Sequence, residues 1–320
     1  METEIIINQL VIFGILMMVG AVASRFRLFT EDTKAFLARF IIDITLPFLI
    51  FTTFIHIEKE ESLIKNALII FVFTFVNLLV LFSAGTLSSY LQKLKKPQAT
   101  VHTLHTMFGN IVFLGFPLLD ALFPGGKGVF FAAIYQLASN SVTFTYGIYR
   151  LSNGQKKTGY KSLLNINTIA LLLGMTVMLS GLKIPTQLGD AFSMIGKCTS
   201  PLSMVYIGAL LAGMKMQSMF KTISVYIISF NKLFLIPAFL GIFYYFLFKW
   251  LNIELSREAF FVLIMQVGMP CQTIVVVMSQ RYGGDYKLAA ANLFVTTILS
   301  IVSLPLLFYF LEQIYFYLTH

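Results

Sequence analysis

Asn110, Gly115, Pro117 and Asp120 stand inside the apolar stretch GNIVFLGFPLLDALF, and Gln266, Met269, Pro270, Gln272 and Thr273 inside a second, QVGMPCQTIVVV. Both sets place groups that donate and accept hydrogen bonds beside a proline, which lacks an N–H and disturbs a helix interior. Polar residues at bilayer depth are costly and mark functional positions. A helix interrupted there exposes unpaired N–H groups and a positive dipole end. An anion can be held at such an end without a full cationic side chain. The chemistry indicated is anion binding by amides, hydroxyls and helix ends.

Other polar residues are candidates of the same kind. Gln136 and Asn140 lie one turn apart and suit a cavity wall or, equally, helix packing. Asn231 and Lys232 sit mid-way along another apolar stretch. Eleven residues from Lys221 place Lys232 about 16 Å deep along a helix, so it needs a partner, either an anionic substrate or a carboxylate. Asp120 is a candidate proton or sodium site, with an end-of-helix position near FPGGK as its plainer reading. Asp43 and Lys197 each precede a proline by four residues, Pro47 and Pro201. They form a candidate structural ion pair, though Asp43 can also pair with Arg39 one turn away.

Catalysis and metal binding have little support. The two cysteines, Cys198 and Cys271, fall in apolar stretches, which disfavours a disulfide framework or a cysteine zinc site. His102 and His105 have no cysteine or carboxylate cluster beside them, so no metal and no cofactor is expected. No phosphate-binding lysine loop is present to couple ATP. An enzyme would need a nucleophile and base at bilayer depth, yet histidines 56, 102, 105 and 320 lie near the ends of apolar stretches.

The elements that position these residues are membrane helices. The 320 residues are 58% hydrophobic and 12% charged, with mean hydropathy +0.83, far from a soluble mixture. Ten spans are predicted, near 5–24, 33–55, 66–90, 103–123, 127–149, 163–182, 190–213, 221–249, 257–280 and 287–311. The fold class is all-α membrane protein, and no separate soluble domain or nucleic-acid surface is expected. Loops after odd-numbered spans carry 14 Lys and Arg against 6 after even ones. The positive-inside rule then puts odd loops in the cytoplasm and both termini outside. The acidic start METEIIINQL, followed by Arg25 and Arg27 after the first apolar run, reads as a retained first span.

An internal repeat is visible in the prolines. Pro47 and Pro201 are 154 residues apart, and Pro117 and Pro270 are 153 apart. Each half, 1–150 and 163–320, then holds five spans, an odd number, so the halves insert in opposite orientations. Inverted repeats with interrupted helices are a recurrent design of secondary transporters.

At these residues the sequence resembles the auxin efflux carrier family, which includes plant PIN-type carriers and bacterial malonate and malate permeases. GNIVFLGFPLLDALFPGGKG resembles its Asn, Gly and Pro pattern. GMPCQTIVVVMSQRYGGDYKLAAANLFVTTILSIVSLPLLFYFL resembles its most recognisable block, and TLPFLIF also fits. The short link near Leu151 to Ser162 fits the bacterial form, in the cell membrane. The resemblance implies ten helices in a 5+5 inverted repeat resembling the bile acid/sodium symporter-like fold, with the fourth and ninth broken and crossing. It implies a scaffold of spans within 5–55 and 163–213, and a transport domain within 66–149 and 221–311 that moves elevator-like. The implied substrate is an organic carboxylate anion contacted by Asn110, with possible proton or sodium coupling and dimerisation through the scaffold. A ligand receptor without flux is the alternative.

Overall fold

A computed structural model describes residues 2–57, 60–155, 164–213 and 222–319, which are helical with no strand among them. In chain order the helices are α1 (Glu2–Arg25), α2 (Glu31–Phe40), α3 (Leu46–His56), α4 (Glu61–Leu91), α5 (Lys96–Met107), α6 (Phe116–Leu122), α7 (Lys127–Val142) and α8 (Ile148–Leu151). Then follow α9 (Ile166–Ser180), α10 (Thr186–Lys197), α11 (Thr199–Ala212), α12 (Ile223–Phe230), α13 (Ile236–Leu251), α14 (Arg257–Met265), α15 (Thr273–Tyr282) and α16 (Tyr286–Thr319). Most of the expected link between halves lies outside the described residues, as do Lys59, Lys215 and Lys221.

Five stretches are long and apolar enough to cross a membrane: Glu31–His56, Glu61–Leu91, Thr186–Ala212, Ile223–Leu251 and Tyr286–Tyr317. Val11–Arg25, Ile111–Leu122 and Ile166–Ser180 are shorter apolar helices. The stretches read as spans four and nine are both interrupted, at Phe108–Asn110 and at Gln266–Gln272. Helix α4 shows the burial pattern of a membrane segment. Leu68, Val72, Phe75 and Leu79 form an exposed apolar stripe, while Thr74 and Asn77 are fully buried. A soluble amphipathic helix does the reverse.

Three of the prolines distort helices rather than end them. Pro47, Pro117 and Pro237 each start a helix (α3, α6 and α13) directly after a five-residue π-helical turn. Those turns are Ile41–Thr45, Ile111–Gly115 and Asn231–Leu235. A proline ring collides with the carbonyl four residues back, and each turn contains that carbonyl, at Asp43, Phe113 or Leu233. Widening the coil at that point removes the clash without breaking the rod. The break near the start of span four therefore lies seven residues before Pro117, not at it.

The chain divides into two compact units. The first comprises Met1–Lys65, Val112–Ala133 and Leu164–Met214, and the second Asn66–Ile111, Ile134–Leu163 and Lys215–His320. In the first unit α1 packs on α11, and α3 packs on α9 and α10. Backbones meet there through glycine: a Cβ on Gly208 would run into the Met17 carbonyl, and one on Gly20 into that of Val205. Small residues permit this approach between membrane helices, where there is no hydrophobic drive to bring them together. Gly208→Val is expected to cost about 1–3 kcal/mol through overpacking, read as a lowered thermal midpoint in detergent. Gly14→Ala, which meets nothing within 4 Å, should leave the midpoint in place.

Candidate functional site

Helices α5 and α14 of the second unit both stop inside apolar sequence. After α5 the chain is extended at Phe108, with φ −106° and ψ 122°. After α14 no helix resumes until Thr273. The two breaks pair with each other. Asn110 N–H donates to the Pro270 carbonyl at 2.8 Å, and Gln272 N–H donates to the Phe108 carbonyl at 3.2 Å. Gly109 and Cys271 thereby form an isolated antiparallel bridge. Backbones come closest at a pair flanked by such bonds. A Cβ on Gly109 would lie 2.9 Å from the Gln266 carbonyl oxygen and from Met269 Cβ. Cys271 N–H donates instead to Thr296 Oγ1 of α16 at 3.0 Å.

The broken helix ends leave carbonyls without partners, which is expensive where water is excluded. Lys232 Nζ donates to the Thr106 carbonyl in the last turn of α5 at 2.9 Å. Asn77 Nδ2 donates to the Leu263 carbonyl in the last turn of α14 at 2.9 Å, and Asn77 Oδ1 accepts from the Tyr244 hydroxyl. Asn77 and Lys232 are 155 residues apart, close to the proline spacing. A side chain from each half thus closes the broken helix of the other half. Lys232 is oriented by a helix end, where a cation also complements the dipole. The expected carboxylate partner is absent among the described residues. Beside it, Asn231 Nδ2 donates to Ser88 Oγ at 3.3 Å. Ser88 Oγ and Ser224 Oγ bracket the His102 ring at 3.0 and 3.1 Å.

Around the paired breaks lies a cluster of buried polar atoms with no hydrogen-bond partner among the described residues. It comprises both amide atoms of Gln266, Oε1 of Gln272 and both amide atoms of Asn292, and the His105 ring faces the Gln272 backbone beside them. Native proteins rarely leave such groups unpaired, and each demands an occupant or an explanation. Asn292 lies one turn before Thr296 on α16. Helix α15 begins at this place with no side-chain cap, so its positive end faces the second break. Among the second unit's described residues no carboxylate is buried, whereas Lys232 is 0% exposed.

The other candidates are distributed as follows. Asn110 and Met269 are buried at the breaks, and Thr273 is half-buried at the start of α15. Gln136 is buried and Asn140 half-buried on α7. In the first unit Gly115 closes the π-helical turn before α6, and Pro117 occupies the first turn of that helix. Asp120 is half-buried and feels Lys197 electrostatically. Asp43 and Lys197 are both exposed and form no ion pair with each other among the described residues. His105, Asn292, Thr296 and Asn77 were not singled out as site residues. For the two asparagines the signal was present, since each is an amide isolated within a predicted span.

Long apolar helices, with two more broken and paired backbone to backbone beside unpaired polar groups, define a multi-pass membrane protein with an internal polar site. The chain belongs to the membrane transport protein family, whose sequence profile matches residues 5–160 and 150–308. It is similar to an uncharacterized transporter of Methanocaldococcus jannaschii, at 25% identity over 91% of this chain and 94% of the relative. The uncharacterized transporter YfdV of Escherichia coli is 23% identical over 95% of this chain and 96% of its own. An uncharacterized transporter of Methanothermobacter thermautotrophicus is 26% identical over 95% and 97%. The family and these names place the protein's role in transport rather than catalysis.

Asn77→Leu would strand the buried Leu263 carbonyl. The expected cost is about 1–3 kcal/mol, seen as a lowered thermal midpoint in detergent. Thr74→Val gives up only a bond to the preceding turn, to the Ile70 carbonyl, and should change the midpoint less.

Proposed function

We propose that the protein is a secondary transporter of organic carboxylate anions, such as malate or malonate, bound beside the paired breaks. The observation that carries this reading is the charge and polarity of the cluster. A fully buried ammonium, Lys232, belongs to the same unit as the unpartnered amides of Gln266 and Asn292, with no buried carboxylate among that unit's described residues. A substrate carboxylate accepts from the amide N–H groups and from the first turn of α15. Lys232, held by the Thr106 carbonyl, contributes its charge rather than a mobile contact. Asn110 supplies a further amide at the crossing.

In this reading the chain is a ten-helix, 5+5 inverted repeat with both termini outside. The reciprocal capping by Asn77 and Lys232, at nearly the proline spacing, supports the repeat. Transport proceeds by alternating access with an elevator-like motion. The grouping of Met1–Lys65 with Leu164–Met214 in one unit supports a scaffold made from the first two spans of each half. The transport domain in this reading is built from the spans within 66–149 and 221–311, and the paired breaks belong to the second unit. Asp120 is the candidate for proton or sodium coupling, and the scaffold is the candidate dimer surface.

The test is uptake of radiolabelled malate, malonate and an indole carboxylate into proteoliposomes, with and without imposed proton or sodium gradients. Gln266→Leu and Asn292→Leu each remove a buried amide that has no partner among the described residues, so the thermal midpoint should hold or rise. Uptake should fall about tenfold for each lost hydrogen bond of about 1.5 kcal/mol to a charged substrate. Uptake unchanged in both variants would overturn the site. Binding without flux for every carboxylate would favour a receptor.

A further inference from the structure

A second polar cavity lies away from the paired breaks, at the opposite end of α5. Its volume is about 190 Å³, and its lining includes Lys96, Thr100, Arg150, Asn153, Gly283 and Gly284. It sits where the start of α5, the end of α8 and the loop between α15 and α16 come together, and these helices pack on one another. All of it belongs to the second unit.

Three features give the cavity a ligand preference. First, its cations are unspent. Lys96 and Arg150 form no ion pair among the described residues, and no carboxylate lines the cavity. The Arg150 guanidinium lies 5.9 Å from the centroid of the Tyr146 ring, which orients it. The carboxylate closest in sequence to the lining, Asp285, is engaged by Leu288 N–H at 3.0 Å, at the start of α16. Second, α5 begins here with no side-chain cap on its first turn, adding a positive dipole end. Third, Thr100 is only 6% exposed, and its hydroxyl has no hydrogen-bond partner among the described residues, although the residue lines the cavity. The Thr100 hydroxyl is therefore a donor available to an occupant of the cavity.

We infer that this cavity binds a phosphate group. Two cations, a helix N-terminus and a hydroxyl donor match a group that carries about −1.5 to −2 charges and three acceptor oxygens. A single carboxylate would leave the cavity with excess positive charge. A guanidinium is also suited to two-pronged phosphate contact. The phosphate is borne either by an anionic lipid headgroup or by a soluble compound. Arg281 and Lys287 flank the same loop and Lys93 and Lys95 precede α5, giving this face the basic character that draws anionic lipid. The inference does not depend on the identity of the transported substrate.

The experiment is thermal unfolding of the purified full chain in neutral detergent. One arm adds inorganic phosphate against sodium chloride of equal ionic strength, and the other adds phosphatidic acid against phosphatidylcholine. A saturable rise in midpoint is expected in one arm or both, and which arm responds identifies the bearer. Lys96→Gln combined with Arg150→Gln removes two exposed side chains, so the midpoint without ligand should not move, and the rise should disappear. Thr100→Val should shift half-saturation to higher concentration with a reduced rise. No rise in either arm, or a rise retained in the double variant, would overturn the inference.

Discussion

Backbone polar groups cannot be left unpaired in hydrocarbon, and this chain breaks two helices where that rule is strictest. The structure meets the rule by using one break to satisfy the other. Asn110 N–H to Pro270 and Gln272 N–H to Phe108 are single hydrogen bonds, yet both are buried and neither donor has water as a substitute. Much else follows from them. Gly109 must lack a side chain so that the strands can meet. Thr296 must present an oxygen to Cys271 N–H, the donor left over between the two bonds. Lys232 and Asn77 must reach the helix ends that the breaks create. A residue far along the chain is thereby committed to each terminus, which binds α4, α5, α12, α14 and α16 into one unit.

Proline and extended backbone divide the work of interrupting helices. Where a proline follows a π-helical turn the rod bends but continues, and the freed groups stay within a turn of each other. Where the chain goes extended, as at Phe108, the rod ends and a partner must come from elsewhere. The second break contains a proline and the first does not, so the proline spacing does not mark the breaks. Pro117 and Pro270 do not occupy equivalent places, since one follows a π-helical turn and the other lies in a break. Asn77 and Lys232, 155 residues apart, do have equivalent tasks, because each reaches the same kind of helix end.

What was legible in the sequence was the presence of polar groups at depth. Asn110, Gln266 and Gln272 stood out because nothing in an apolar run explains an amide, and all three lie at the paired breaks. Two kinds of residue were harder to read. Lys232 invited a search for an opposite charge, whereas its partner is a carbonyl, and carbonyls have no letter in a sequence. Thr296 and His105 look like ordinary helical residues, since a threonine usually bonds its own preceding turn and a histidine near a span end is unremarkable. Their place became visible only when the fold brought α16 and α5 to the second break.

The charge of the cluster limits what can occupy it. Lys232 contributes one positive charge, and the C-terminal end of α5 against it offsets about half. The start of α15 returns about half a charge of the opposite sign. The end of α14, met only by the neutral Asn77, subtracts about another half, so the cluster is positive by roughly half an elementary charge. A monocarboxylate would leave it within about half a charge of neutral, and a nearly neutral assembly can pass through a low-dielectric environment at little electrostatic cost. A dicarboxylate would leave about one and a half negative charges buried, and burying an unpaired charge is among the most expensive acts a protein performs. A second carboxylate held here would therefore need its charge met by a proton or another cation.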